Sequence, residues 1–114
     1  MNAPAAFTAV TTTVRPIGTD TVFLALSDPT RRQILSALFD GQPHAVAGMG
    51  GSQAKRRDLL RKHCEVLAKS GLILREDHPQ DARRSVYQLA PQMKPLTTPE
   101  GVRILDFGCC IVRC

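Results

Sequence analysis

Residues 55–91 read KRRDLLRKHCEVLAKSGLILREDHPQDARRSVYQLAP. From roughly Lys55 to Ser70 the apolar residues Leu59, Leu60, Cys64, Val66 and Leu67 project onto one arc when successive residues are turned by about 100°. That pattern predicts an amphipathic helix, and Gly71 supplies its C-terminal stop. The period then changes. LILRED reads as a strand, HPQDAR as a turn carrying Pro and Asp, and SVYQLAP as a returning strand. A β-hairpin is therefore expected after the helix, with Arg83 and Arg84 at its tip.

Working upstream, RRQILSALFDG places Ile34, Leu35, Leu38 and Phe39 on one helical face, with Gly41 as the stop. Asp28-Pro29-Thr30 ahead of it offers a capping residue and a proline for the first turn. An earlier helix over TVFLALS is expected to begin at Thr19 or Asp20, either of which can cap it. Between them GQPHAVAGMGGSQ holds at most a turn or two of helix, because Gly48, Gly50 and Gly51 weaken it. Helix, helix, short helix, long basic helix and basic hairpin is the order of a winged helix-turn-helix, an α+β fold that is mainly α with a small β-hairpin. The expected division is a flexible arm over 1–16, a winged helix-turn-helix DNA-binding domain over 17–92, and a Cys-rich tail over 93–114 packed on that domain or on a dimer interface.

Composition narrows the partners. The chain has 114 residues, 15 of them Lys or Arg against 10 Asp or Glu, and a net charge of +5. A hydrophobic fraction of 43% is too high for a disordered chain, and an excess of cations favours a polyanion. No apolar run approaches the roughly 18 residues of a membrane span, and MNAPAAFTAVTTTV lacks the charged start and apolar stretch of a secretory signal, so a cytoplasmic location is expected. Phe7, Phe23, Phe39, Tyr87 and Phe107 are scattered and Trp is absent. Single-strand binders stack bases on grouped aromatic side chains, so double-stranded DNA is the better candidate. No nucleophile–base–orienter set and no Gly-rich phosphate loop after a strand is present, which argues against an enzyme.

LALSDPTRRQILSAL (24–38) resembles the opening of the ArsR/SmtB family of bacterial winged-helix repressors, KHCEVLAKSGLI (62–73) is similar to the second half of that family's recognition helix and the entry to its wing, and ARRSVYQL (82–89) resembles its wing strand. The resemblance spans roughly residues 20–90. It implies a homodimeric, operator-binding transcription regulator of arsenical-repressor type, often released by a bound metal or metalloid. The family's usual sensor positions do not carry over: HAVAGMGG ahead of the long helix has no thiol, and TTPEGVRILDFGCCIVRC has no His and no helical pattern.

On the long helix, Arg57, Asp58, Arg61, Lys62 and Glu65 lie opposite the apolar arc, with Lys55 and Arg56 at the N-terminal end. That end is the part that enters a major groove, and its dipole favours phosphate. Arg57 and Arg61 are the candidates for base edges, where Arg pairs bidentately with guanine; Lys55, Arg56, Lys62, Arg83 and Arg84 are the candidates for the backbone. Such a face on an arbitrary helix is more often merely solvated; the family pattern around it favours DNA. Arg31 and Arg32 are read as structural, their stems covering apolar surface and their heads pairing with nearby acids. His63 falls near the middle of the apolar arc and reads as a satisfied core histidine, and His44 and His78 read as isolated loop residues.

Cys64 reads as a small core hydrophobe. Cys109, Cys110 and Cys114 crowd the last six residues and form the candidate metal set. Three thiolates suit trivalent arsenic or antimony, and with a fourth ligand they suit zinc or cadmium; no cofactor is expected for folding. In a strand Cys109 and Cys110 would face opposite ways, so the site needs a turn at Gly108-Cys109 or a second subunit. Ile104, Leu105, Phe107, Ile111 and Val112 suggest that the tail packs on the body, and with the helix near Thr19–Ser27 it is the expected dimer interface. The alternatives are a thiol-redox or non-sensing regulator, and a winged-helix protein–protein adaptor that binds no DNA.

Overall fold

The structure, a computed structural model, describes residues 17–50 and 53–113. The arm expected over 1–16 and the candidate ligand Cys114 lie outside the described residues. Three helices, α1 (Thr19–Leu26), α2 (Pro29–Ala37) and α3 (Ala54–Lys69), are joined by a single 3-10 turn at Val46–Met49 between α2 and α3. Strands β1 (Ile73–His78) and β2 (Asp81–Leu89) make an antiparallel hairpin. Strands β3 (Lys94–Thr97), β4 (Arg103–Asp106) and β5 (Ile111–Arg113) make a second, three-stranded antiparallel sheet in the order β3-β4-β5. The architecture is α+β.

The α1–α2 corner shows why the DPTRR residues stand where they do. Asp28 is the N-cap of α2, its carboxylate accepting from the amides of Thr30 (2.7 Å) and Arg31 (3.3 Å), and Pro29 fills the first helical position, where no donor is lost. Partial burial pulls the Asp28 carboxyl upward, but those two amides, His63 and Arg31 outweigh it and hold the group below its ordinary value. The arginines then reach back. Arg31 donates to the carbonyls of Ala25 (2.9 Å) and Leu24 (3.0 Å), and Arg32 to that of Leu26. Two guanidiniums thus satisfy the orphan carbonyls at the C-terminus of α1, where positive charge is favoured. They meet carbonyls rather than the acids expected of them. At its other end α1 is capped by Gly18, with no side-chain bond, and Thr19 and Asp20 are already helical.

Leu60, Cys64 and Leu67 of α3 are fully buried against Ile34, Leu35 and Leu38 from the α2 segment and against Tyr87 of β2. Leu59 and Val66, expected on the same arc, are 41% and 40% exposed. Both lie about 100–120° around the helix from the centre of the Leu60–Cys64–Leu67 stripe, and so small a body covers only that stripe. His63 occupies the flank between: it is half-buried, with Nδ1 accepting from Arg31 at 3.2 Å.

The terminal segment is a meander, not a single strand. Leu105, in the middle strand, is buried in the main core, and Met93 and Phe107 pack beside it. Arg103 clamps the sheet to α2: its guanidinium lies 4.5 Å over the ring of Phe39 and donates to the Ser36 carbonyl at 2.9 Å. Ile111, expected to pack inward, is 62% exposed. No helix among the described residues is long and apolar enough to cross a membrane.

Candidate nucleic-acid interface and a pair of thiols

The N-terminus of α3 is built against its own stability. Gln53 stands at the N-cap without a side-chain bond, and the first turn carries no acidic residue. Lys55, Arg56 and Arg57 instead place positive charge at the positive end of the helix, an arrangement that costs up to about 0.3–1 kcal/mol per charge and that a bound anion would reverse. The terminus opens toward the hairpin. Between them runs a cleft of about 440 Å³ lined by Arg57 and Arg61 of α3, Arg75 of β1, and Arg83 and Arg84 of β2, over a floor that includes Val46 and Tyr87. Among the described residues no acidic side chain lines it.

Hairpin register puts three of these arginines in place. Arg75 pairs with Tyr87 and Asp77 with Ser85, but His78 pairs with Asp81, so Ala82, Arg83 and Arg84 are surplus residues on β2. Such a bulge bends a strand and re-aims its side chains. Arg83 and Arg84 therefore project from a bulge just inside the Pro79-Gln80 turn, not from the tip itself. Asp81 accepts from the Arg83 amide (3.1 Å) and lies 3.3 Å from its Nε.

Arg75 was not among the sequence candidates. Its Nε donates to Ser85 Oγ at 3.0 Å and a terminal nitrogen lies 3.8 Å from Glu65 of α3. Glu65 also accepts from the Tyr87 hydroxyl at 3.0 Å. Tyr87 is fully buried, and its amide and carbonyl both bond to His44 at 2.8 Å. Burial first, then Glu65, pushes the Tyr87 phenol up to about 12, so it stays a donor. α3, the hairpin and the loop before the 3-10 turn are locked together at this one residue, the helix through its hydroxyl and the loop through its backbone. The signal in the sequence was an arginine two places after a core strand residue and close to Arg83 and Arg84; the link to Glu65 is long-range and left no trace.

The other predicted contacts divide. Arg56 donates to Gln33 of α2 at 2.9 Å and does not line the cleft. Arg61 pairs with Asp58 at 2.9 Å, both well exposed, a contact worth roughly 0–1 kcal/mol that a phosphate or base can displace. Lys62 lies with Asp58, Arg61 and Glu65 around a shallow depression beside the cleft, and Lys55 is exposed. The histidines are not loose: His44 bridges to Tyr87 and sits 2.9 Å from Asp40, and His78 ends β1, accepting from the Gln80 amide. The Gln42 amide, ahead of the opposing pull of burial and with help from His44, holds the Asp40 carboxyl below its usual value.

The thiols fall into two kinds. Cys64 is buried 3.9 Å from the Met49 sulfur, and burial pushes its thiol up to about 12, which leaves it unreactive near neutral pH. Cys109 and Cys110 sit in the β4–β5 turn. Gly108 turns the chain at φ +86°, the Phe107 amide bonds to the Cys110 carbonyl at 2.9 Å, and Asp106 accepts from the Gly108 amide at 2.8 Å. The turn removes the face alternation of a strand and leaves the two sulfurs 3.8 Å apart. Cys109 is exposed and Cys110 is half-buried. Burial, the Cys109 thiol and the charge of Asp106 push the Cys110 thiol above its ordinary value. Among the described residues no three His, Cys, Asp or Glu side chains gather as a metal site; two of the three expected thiols come together and Cys114 is outside the described residues. Compared with family models, curated proteins and solved structures, the chain matches none.

Proposed function

We propose that the chain is a winged helix-turn-helix transcription regulator that binds duplex operator DNA as a homodimer and represses, as the ArsR/SmtB family it resembles does. The observation that carries this reading is the five-arginine cleft between α3 and the β1–β2 hairpin. α3 enters the major groove with Arg57 and Arg61 toward base edges, each bidentate pair with guanine worth about 1–3 kcal/mol of discrimination. Arg83 and Arg84 take phosphates as the wing, with Lys55, Arg56 and Lys62 alongside and Arg75 added to the set. Phe23 and Leu24 of α1, 54% and 69% exposed, are the apolar surface a second copy would cover, and two such copies read half-sites about 34–36 Å apart. The effector is a soft ion, trivalent arsenic or antimony, or zinc or cadmium. Cys109 and Cys110 would supply two thiolates and Cys114 or the second copy a third. The place of action is the cytoplasm.

A gel shift on the promoter beside the chain's own gene, repeated over a range of salt and with arsenite, antimonite, zinc or cadmium, tests this. Binding should weaken steeply with salt and be released by one of the ions. Arg61→Ala should relax sequence preference, whereas Lys62→Ala should weaken all duplexes alike. Absence of any salt-dependent duplex binding overturns the reading in favour of a protein–protein adaptor. A shift that Cys109→Ser and Cys110→Ser leave fully releasable moves the sensor elsewhere.

A further inference from the structure

The β4–β5 turn supports a chemistry that needs neither a metal nor a third thiol. We propose that Cys109 and Cys110 are an oxidation site, at which a hydroperoxide converts the pair to a disulfide between neighbouring residues. Cys109 is exposed and open to a small oxidant, while Cys110 is half-buried with its sulfur 3.8 Å away. In the first step the Cys109 thiolate attacks the outer peroxide oxygen and the O–O bond breaks. The alkoxide leaves and takes a proton as alcohol, or as water from hydrogen peroxide, and Cys109 becomes a sulfenic acid. In the second step the Cys110 sulfur attacks the Cys109 sulfur. The S–S bond forms and hydroxide leaves with the Cys110 proton as water. Two thiols lose two electrons and two protons, and one hydroperoxide is reduced to alcohol and water.

Geometry selects this pair over the alternatives. A resolving thiol held within contact distance outcompetes one on another molecule through its effective concentration. Cys64 is shut in the core beside Met49. Closure from 3.8 Å to a disulfide length of about 2.0 Å moves at least one of the two sulfurs in a turn where Cys110 packs on the core edge and its carbonyl accepts from the Phe107 amide. None of this depends on DNA binding, and the test uses the protein alone.

The unaltered chain is treated with stoichiometric hydrogen peroxide, remaining thiols are alkylated under denaturing conditions, and the product is cut with trypsin. Cleavage after Arg103 and Arg113 isolates Ile104–Arg113, which holds Cys109 and Cys110 and leaves Cys114 as a separate residue. The expected peptide lacks two hydrogens, carries no alkyl group and recovers both thiols with dithiothreitol, while Cys64 is alkylated. In Cys110→Ser one equivalent should instead leave Cys109 as a sulfenic acid, captured with dimedone, and a second equivalent should take it to sulfinic acid. Three results would overturn the proposal: a peptide joined to Cys114, a cross-link between chains, or sulfinic acid at Cys109 beside an alkylated Cys110 in the parent.

Discussion

The molecule carries two hairpins that solve opposite problems. β1–β2 is long: six residues on one side and nine on the other, a reach of about 20 Å at 3.3 Å per residue. Its base is fastened by Ile73, Tyr87 and Leu89, and its far end exposes guanidiniums on a bulge. β4–β5 is short, with four and three residues, and its turn carries the exposed Cys109 and the half-buried Cys110 while Leu105 of β4 is already in the core. A long arm with its anchor at one end holds its cations clear of the body, where contact with a large partner need not disturb the core. A short arm cannot reach far, but anything that happens to its turn is felt by the core immediately. Reach suits recognition; proximity suits sensing.

Removing the anchor of the short hairpin gives the largest expected effect. Leu105→Ala should cost about 2–5 kcal/mol in chemical denaturation, while Ile111→Ala on the same hairpin stays within about 0.5 kcal/mol. Equal costs would mean that the sheet is not fastened where Leu105 sits. Next in size, Arg83→Ala combined with Arg84→Ala should leave unfolding unchanged within about 0.5 kcal/mol yet weaken duplex binding about tenfold, or ~1.4 kcal/mol. The slope of binding against salt should fall by about 2; an unchanged slope would remove the long arm from the interface. Smaller again, Tyr87→Phe should cost about 1 kcal/mol by deleting the donor to Glu65. The same variant should bind DNA less well than the parent but better than the double arginine variant, since Arg75 loses only its support. A titration of binding on both variants decides the order.

The smallest effect sits outside both hairpins and serves as their control. Asp28 and Asp40 have carboxyls held below their usual value. A depressed folded value means their stabilisation is complete above the unfolded carboxylate value of about 3.9 and fades as pH falls through the folded values. Asp28→Asn keeps an acceptor for the Thr30 and Arg31 amides but carries no charge, so it should melt somewhat below the parent near neutrality and converge with it in acid, which gives a flatter acid limb below about pH 4. An acid limb identical to the parent's would show that the α1–α2 corner does not govern it.

Helices α2 and α3 and the long hairpin were legible because each is announced locally: Asp28-Pro29 at a start, Gly71 at a stop, a 3.6 period changing to strand; Gly41 marks its stop late, since α2 ends at Ala37 with Leu38 as its cap. Residues 94–113 were not. Strands of four, four and three residues, one containing Pro95, are too short for any period to show, and their order rests on contacts such as Arg103 on Phe39 that join positions far apart in sequence. The basic face was readable as a list of residue types; its assembly was not. Arg75 entered because Glu65 and Ser85 hold it, and Arg56 dropped out of the cleft because Gln33 holds it elsewhere. The paired thiols lay between: adjacency was visible, while the turn that brings their sulfurs together had to be seen.

Tyr87 is the chain's single tyrosine, and there is no tryptophan. Its hydroxyl is tied to the Glu65 carboxylate, the kind of partner that drains an excited phenol, and Glu65 in turn faces Arg75 at the edge of the arginine cleft. The protein therefore carries one native fluorophore, placed at the seam between the long helix and its hairpin. A phosphate that draws Arg75 away, or a shift of the hairpin against α3, changes the quencher's position and with it the emission. A ligand of the cleft that shifts Glu65 is then observable by the light of an unlabelled side chain, excited at wavelengths where the four phenylalanines do not absorb.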